Sequence, residues 1–388
     1  HAPFHADQVG ARFAITVERA IGVLVALESG DRVVRGEFRP GGVEREWCDL
    51  DVLRIIRRRS LAKLRREVEP VDQTVFASFL GAWHGVGSAR TGIDALVETI
   101  GVLQGASLTA SSLETFVLPA RIRGYRAPDL DELCTNGEVV WIGAGAIGSN
   151  DGRIRLFFAD QVASLISAYD TPDRPISEHH DTIRKLLAER GASFWGAIKA
   201  ALPDHSDTEV LTLLWDLVWS GEVTNDSFSA LRSYLAAGRG GKAPRQQRSN
   251  GRILRARPGR LARVGPPAGA GRWGLVSEVM ESNGRANPTA AVHAVAAQLL
   301  ERHGVVTREA VLAEGVAGGF ASVYPVLRLM EEKGQVRRGY FIDGLGAAQF
   351  AVAGAVDQLR STRDRLAALS HHDSDARISV LSATDPAQ

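Results

Sequence analysis

The feature that most constrains the fold of this chain is one sequence pattern that occurs four times. In each copy a leucine stands nine residues before a valine, and a glycine between them ends an amphipathic helical stretch. Glycine directly after the last periodic residue is the usual left-handed stop of a helix, and β-prone residues follow each glycine. The sets are Leu24, Gly30 and Val33; Leu130, Gly137 and Val139; Leu214, Gly221 and Val223; and Leu327, Gly334 and Val336.

A helix that ends at a glycine and leads into a short β-hairpin is typical of a winged helix, and repetition at domain-sized spacing indicates tandem modules. We therefore predict a mainly α fold with small β-wings (α+β), built from tandem winged-helix modules. The predicted parts are a winged helix over 1–46, a basic connector helix over 47–70, a helical block plus winged helix over 71–170, a winged helix over 171–237, a basic Gly/Pro/Arg linker over 238–272, a winged helix over 273–356, and the start of a truncated further domain over 357–388.

The bulk composition narrows the class of protein. The chain has 388 residues, of which 45% are hydrophobic and 23% charged, as is usual for soluble globular domains. No apolar run reaches the ~18 residues of a membrane span, and Cys48 and Cys134 lack the CxxC spacing of a zinc site. We predict no metal site, no membrane association and a cytoplasmic location. Because the chain opens at His1 without a signal segment, we expect it to be a piece of a longer protein.

Positive charge is concentrated in one segment. The net charge of +1 does not by itself indicate a nucleic-acid partner, but residues 238–272 hold ten basic residues and no acidic one. Such a segment is predicted to bind DNA phosphates, and the alternative is a spacer that its charge keeps soluble. Its basic residues include Arg239, Lys242, Arg245, Arg248, Arg252, Arg255, Arg257, Arg260 and Arg263.

A second set of arginines lies around the predicted recognition helices, wings and connector helix. A winged helix binds DNA by placing its third helix in the major groove, while wing residues reach phosphates or the minor groove. Arginines at these places would mainly neutralise phosphates. The alternatives are that the modules bind only protein, and that the connector helix packs between domains. The predicted DNA-binding residues are Arg12, Arg19, Arg32, Arg35, Arg39, Arg57, Arg58, Arg328, Arg337 and Arg338.

Aromatic and acidic residues are less informative. Trp195, Trp215 and Trp219 are predicted to be core residues, whereas Tyr125 and Trp141 are candidates to stack on a single strand if they are exposed. Asp385, in the string SATDPAQ, is interpreted as a turn residue before Pro386. Excision of a damaged base would require a buried carboxylate beside a pocket for a flipped base, and we assign no catalytic residue.

Several long strings connect the chain to a known family. They include RVVRGEFRPGG from Arg32, LPARIRGY from Leu118, LDELCTNGEVVW from Leu130, RHGVVTREAVLAEGVAGGF from Arg302 and SATDPAQ from Ser382. On these strings the chain resembles the C-terminal region of the Lhr (large helicase-related) family of bacterial ATP-dependent DNA helicases. The resemblance implies an upstream helicase core in the same polypeptide, self-assembly of the helicase, and similarity to winged-helix DNA glycosylases.

One motif expected of an ATP-dependent helicase is absent from this sequence. No GxxxxGK[ST] phosphate loop is present, so this chain is expected to carry no cofactor, with ATP and Mg²⁺ bound only by the parent motor. We predict a winged-helix region of a DNA repair helicase that binds DNA and mediates homo-oligomeric assembly. Two alternatives stay open: a DNA glycosylase acting on damaged or uracil-type bases, and a purely structural oligomerisation platform.

Overall fold

The computed structural model describes residues 3–38, 45–67, 70–169, 171–238, 265–282, 287–346, 348–369 and 379–388. Over these residues the fold is mainly α with four small antiparallel sheets, which confirms the predicted class of winged-helix modules. Within the same ranges no helix is long and apolar enough to cross a membrane, and no group of three or more His, Cys, Asp or Glu side chains could hold a metal ion.

The first winged-helix unit has a small core. Its second helix begins at Val17, because the Thr16 hydroxyl accepts a hydrogen bond from the Arg19 amide at 3.4 Å and caps the helix. The core consists of Leu24, Val33 and Trp47. The elements are α1 (Ala6–Phe13), α2 (Val17–Ser29), β1 (Val33–Gly36), β2 (Glu46–Asp49) and the connector helix α3 (Leu50–Glu67).

The second unit is built around a long hairpin. Its two strands pair from Val139 opposite Phe158 to Ile147 opposite Asp151, and a short strand covers the other edge. The sheet order is therefore β3-β5-β4. The elements are α4 (Gln73–Trp83), α5 (Gly92–Leu103), β3 (Leu108–Thr109), α6 (Ala110–Ser112), a π-helical turn over Leu113–Val117, α7 (Ala127–Thr135), β4 (Val139–Ile147), β5 (Asp151–Phe158), α8 (Val162–Leu165) and a 3₁₀ turn over Ile166–Ala168.

The third unit has an aromatic core. Trp195, Trp215 and Trp219 are buried, as predicted, and Trp273 packs edge-on against Trp215 with ring centroids 5.6 Å apart. Trp273 lies on a strand that completes the sheet of this unit in the order β6-β8-β7, although the sequence places it at the start of the fourth unit. The elements are α9 (Glu178–Arg190), β6 (Ser193–Phe194), α10 (Trp195–Ala201), α11 (Asp207–Trp219), β7 (Val223–Asn225), α12 (Ser229–Gly238), a 3₁₀ turn over Pro267–Gly269 and β8 (Arg272–Leu275).

The fourth unit takes part of its core from the second. Phe79 on α4 packs with Val305, Ile342 and Ala355, and the Trp83 indole donates a 2.8 Å hydrogen bond to the Glu301 carbonyl. The apolar face of α4 is thus buried by residues more than 200 positions away. The elements are α13 (Val276–Ser282), α14 (Pro288–His303), β9 (Val305–Val306), α15 (Arg308–Ala313), α16 (Gly319–Glu332), β10 (Val336–Gly339), β11 (Gln349–Val352) and α17 (Ala353–Leu369).

The repeated pattern has the same structural role in all four units. Every one of its leucines and valines is buried. Gly137, Gly221 and Gly334 have φ of 75°, 77° and 75°, which is the left-handed conformation that glycine adopts without strain. The first copy differs: Gly30 has φ −96°, and Asp31 takes the left-handed position with φ 56°. The prediction of a left-handed stop at Gly30 is therefore wrong, because this glycine lies one residue too early.

Candidate active site

A cavity of about 840 Å³ lies where the second and fourth units meet the last residues of the chain. Its walls come from α4, β5, the end of α14, α15 and residues 383–388. Clefts of this size between packed units are the usual places for small ligands. Three acidic residues line the cavity, Glu309, Glu314 and Asp385, and the carboxylates of the last two are held by buried arginines.

Asp385 is the most completely buried of these carboxylates. Its side chain has no exposed surface, and Arg121 holds both of its oxygens, at 2.5 Å from Nη2 to Oδ1 and 2.8 Å from Nη1 to Oδ2. The Ala387 amide donates a further hydrogen bond to Oδ1 at 2.9 Å. Asp385 does form a turn, through its amide and the Ser382 carbonyl. The turn interpretation was nevertheless incomplete, because it missed the ion pair with Arg121.

Glu314 forms a second buried ionic cluster in the same cavity. Its carboxylate contacts the guanidinium of Arg302, which is completely buried, and lies 2.8 Å from Nε2 of His303. Arg302 also donates hydrogen bonds to the carbonyls of Val102 and Gln104 and so joins the fourth unit to the second. Burial alone would raise the pKa of the Glu314 carboxyl, but Arg302 and His303 outweigh burial and lower this pKa to about 2.

A neutral histidine lies behind Arg121. Nδ1 of His84 is 3.4 Å from Nη2 of Arg121, and Nε2 of the same ring is buried without a hydrogen-bond partner among the described residues. Burial, reinforced by the positive charge of Arg121, holds the pKa of His84 well below its usual value. His84 therefore adds no positive charge to Arg121, and among the described residues it is Arg121 that pairs with the Asp385 carboxylate.

Two arginines reach the cavity from one face of β5. Arg153 and Arg155 are two residues apart, so their side chains leave the strand on the same side. Arg155 donates a 3.1 Å hydrogen bond to the Gly105 carbonyl and lies over the Tyr169 ring at 4.7 Å. Arg153 is exposed and has no ion pair or hydrogen bond from its side chain to the described residues. No motif in the sequence pointed to either arginine.

The structure does not gather the predicted DNA-binding arginines into one site. Arg12, Arg19, Arg32 and Arg35 are exposed on the first unit. Arg57 and Arg58 are exposed on α3, and Arg337 is exposed on β10. Arg328 pairs with Glu332, while Arg338 contacts Glu331 and the Tyr324 hydroxyl. Arg39 and the basic segment from Arg239 to Arg263 lie outside the described residues.

Two of the four helices expected to enter a DNA groove are poorly suited to phosphates. Helix α7 carries Asp129, Asp131 and Glu132, and α11 carries Asp207, Glu209 and Asp216, with no basic residue on either helix. Of the aromatic stacking candidates, Trp141 is completely buried, because its indole packs on Trp215 and Phe228. That expectation is therefore wrong for Trp141. Tyr125 is half-buried, and its hydroxyl donates a 2.5 Å hydrogen bond to Glu114.

The first unit exposes a stripe of apolar side chains on its predicted recognition helix. Val17, Ile21 and Val25 follow one another at four-residue spacing along α2 and are 41%, 41% and 45% exposed. Phe13, at the end of α1, is 66% exposed and precedes the stripe by the same spacing. We call these four residues the α2 stripe. An apolar stripe of this kind is typical of a protein interface.

Comparisons with known proteins agree with this architecture. Residues 71–159 and 285–370 match two models described as winged-helix domains of the large helicase-related protein. The chain is 39% identical over 396 residues to the "Lhr helicase/ probable uracil glycosylase" of Mycolicibacterium smegmatis, with 99% of this chain and 25% of the relative covered. It is 33% identical over 368 residues to the "Lhr helicase/uracil glycosylase" of Escherichia coli, with 88% and 23% covered.

The chain therefore spans about a quarter of the length of these relatives. Among solved structures, it overlaps the DNA glycosylase AlkZ of Streptomyces sahachiroi with a TM-score of 0.44 and 10% identity. That overlap covers 76% of this chain and 73% of the other, and it is too loose to support a functional argument.

Proposed function

Because this chain belongs to the large helicase-related family, as a winged-helix region spanning about a quarter of its relatives' length, we propose that it binds DNA and excises uracil in the cavity. The observation that carries this proposal is the buried Asp385 carboxylate, oriented by Arg121 in the cavity wall. The names of both relatives include a uracil glycosylase activity. We place ATP hydrolysis and its Mg²⁺ in the part of the parent protein outside this chain.

Base excision breaks the bond between C1′ of the sugar and N1 of uracil. The bonding electrons leave with the base, and positive charge develops on the sugar. An ionised carboxylate near C1′ stabilises that charge and can accept a proton from the water that adds to C1′. Among the described residues, Oδ2 of Asp385 accepts a hydrogen bond from a single donor, Nη1 of Arg121. A carboxylate oxygen offers two acceptor directions, so Oδ2 keeps one. Because the side chain has no exposed surface, this direction is open to the water only when DNA binding moves residues 382–388 away from the wall.

The remaining walls of the cavity suit a base that has been turned out of its strand. Enzymes that act on a base bind it by stacking on apolar side chains and by hydrogen bonds to its edge. Phe76 and Leu345 provide apolar surface, and Ser107 and Thr384 provide hydroxyl groups. The cavity volume of about 840 Å³ is large enough to hold a nucleotide rather than a base alone.

The test is strand scission at uracil. A labelled single-stranded oligonucleotide with one uracil is incubated with the chain, treated with alkali and compared with the thymine version. We expect cleavage by the original chain, loss of at least about 100-fold in rate for Asp385→Asn, and no loss for the control Asp357→Asn, an exposed carboxylate on α17. Absence of cleavage by the original chain, or an active Asp385→Asn variant, would overturn the proposal.

A second function, homo-oligomeric assembly, is supported by the α2 stripe. Val17, Ile21 and Val25 form a row along α2, Phe13 lies at the end of the preceding helix, and the small core of the first unit leaves these side chains exposed. Apolar side chains at helical spacing pair with the same row on a second copy, because a two-fold axis brings equal surfaces together. We propose that a second copy of this chain covers the stripe.

Light scattering of the Ile21→Glu variant tests whether the chain assembles through the α2 stripe. We expect the original chain to have a multimeric mass and Ile21→Glu to have a lower mass at the same concentration. The matched control is Ile176→Glu, because Ile176 is 92% exposed and belongs to neither α1 nor α2. A monomeric original chain, or equal masses for the original chain and Ile21→Glu, would contradict assembly through α2.

A further inference from the structure

The charges that line the cavity do not cancel. Asp385 is neutralised by Arg121, and Glu314 by Arg302. After these pairs are formed, the remaining charges on the wall include Arg153 and Glu309. Glu309 lies on α15 and is exposed, whereas Arg153 lies on β5. The β5 side of the cavity is therefore positive, and the α15 side is not.

Arg153 stands close to the proposed chemistry. In the sheet it is directly opposite Thr109, and the Thr109 amide donates a 3.4 Å hydrogen bond to the hydroxyl of Thr384, the neighbour of Asp385 in the sequence. The sheet register thus places Arg153 beside the segment that carries Asp385. The chain holds Arg155 in place through the Gly105 carbonyl and the Tyr169 ring, but it supplies no such partner for Arg153 among the described residues.

We infer that Arg153 binds the backbone phosphate next to the turned-out nucleotide. A guanidinium that has no carboxylate partner pairs well with a phosphate through two parallel hydrogen bonds. When a base enters a cavity, its own phosphate is brought to the rim. This inference rests on the proposed function in that it takes single-stranded DNA as the ligand, and it places the phosphate at β5, away from Glu309.

Such a site would explain DNA binding without the helices that usually enter a groove. Helices α7 and α11 carry only acidic charged residues. The wing strand β5 instead presents two arginines to a cavity. Contact with a phosphate carries no base information, so Arg153 would set affinity for any sequence, and the inner walls would select the base.

The experiment is a salt series of binding isotherms for Arg153→Gln. Fluorescence anisotropy is measured with a uracil-containing single strand and its thymine counterpart. We expect Arg153→Gln to lose about tenfold in affinity for both strands at low salt and to lower the slope of log K against log salt by about 0.7. The control Arg123→Gln, an exposed arginine of the same unit that does not line the cavity, should match the original chain.

The outcomes separate this inference from the proposed function. If the original chain excises uracil and Arg153→Gln keeps its affinity and salt slope, the phosphate site is refuted and the glycosylase proposal stands. If the original chain excises nothing while Arg153→Gln alone loses affinity and slope, the phosphate site stands and the glycosylase proposal falls. Equal losses in Arg153→Gln and Arg123→Gln would indicate diffuse charge and would also refute the site.

Discussion

Removing one charge of the Arg121–Asp385 pair should release residues 382–388 from the cavity wall. The two side chains are 2% and 0% exposed. Breaking a buried ion pair from one side costs about 3–5 kcal/mol, because the remaining charge is left buried without a partner. Residues 382–388 can leave the wall and return that charge to water, so the loss should appear as local opening rather than as unfolding of the whole chain.

Hydrogen exchange of backbone amides in residues 382–388 measures how much the segment opens. The Ala387 amide donates to Oδ1 of Asp385, and the Gln388 amide donates to the Asp385 carbonyl at 3.2 Å. A cost of about 3 kcal/mol increases the open fraction by roughly 100-fold or more. The protection factors of both amides should therefore fall by at least about 100-fold in Arg121→Met and in Asp385→Asn. The fall is smaller only if the segment becomes fully open before that limit is reached.

The double variant Arg121→Met/Asp385→Asn separates docking from chemistry. It contains neither charge, and the asparagine oxygen can still accept the hydrogen bond from the Ala387 amide. We expect protection to recover, with a coupling of about 2 kcal/mol or more between the two sites, while uracil excision stays lost. Unchanged exchange in both single variants would refute the docking role of the pair. Recovered excision in the double variant would refute the catalytic role of the carboxylate.

Three further predictions concern packing, pH and backbone strain. Gly143→Ala should lower the free energy of unfolding in urea by about 1–3 kcal/mol, because the new Cβ would overlap the Val218 carbonyl. Gly81→Ala should raise the same free energy by about 0.5–1 kcal/mol, because Gly81 lies on α4 with open space around its Cα. Since the pKa of Glu314 is lowered from 4.5 to about 2, its contribution to stability is complete above pH about 4.5 and is lost as the pH falls toward 2; thermal melts should show a weaker acid dependence in Glu314→Gln. Asp31→Gly should reduce proteolysis of the first unit by relieving the left-handed strain of up to about 1–2 kcal/mol, and equal digestion rates would contradict this.

The local parts of the fold could be predicted from the chain. Helix α2 begins after Thr16 and ends at Ser29, as the cap and the apolar periodicity indicate. The leucines and valines of the repeat are buried for the same reason, since their spacing decides which side of a helix or strand faces a core. The sequence did not predict that Asp31, and not Gly30, takes the left-handed conformation after α2. The reason is that a helix end can shift by one residue while the leucine–valine spacing stays the same.

The candidate site could not be predicted in the same way. Arg121 and Asp385 are separated by 264 positions, and Arg302 and Gln104 by 198, so no local pattern joins them. The available signals were the strings LPARIRGY and SATDPAQ, which contain Arg121 and Asp385. A single sequence shows that Arg121 and Asp385 lie in distinctive strings, but it does not show that their side chains are in contact.

The sequence by itself determined the fold class of winged-helix modules and their local helix and strand ends, because helix caps, glycine stops and apolar spacing act over a few residues. Tertiary structure alone decided that α4 packs on the fourth unit, that β8 completes the third sheet, and that the last residues close a cavity between the second and fourth units. The physical reason is that burial requires a complementary surface but does not specify which segment provides it. A buried charge is more selective, because it must find an opposite charge, and the pairs Arg121–Asp385 and Arg302–Glu314 are where this chain meets that requirement.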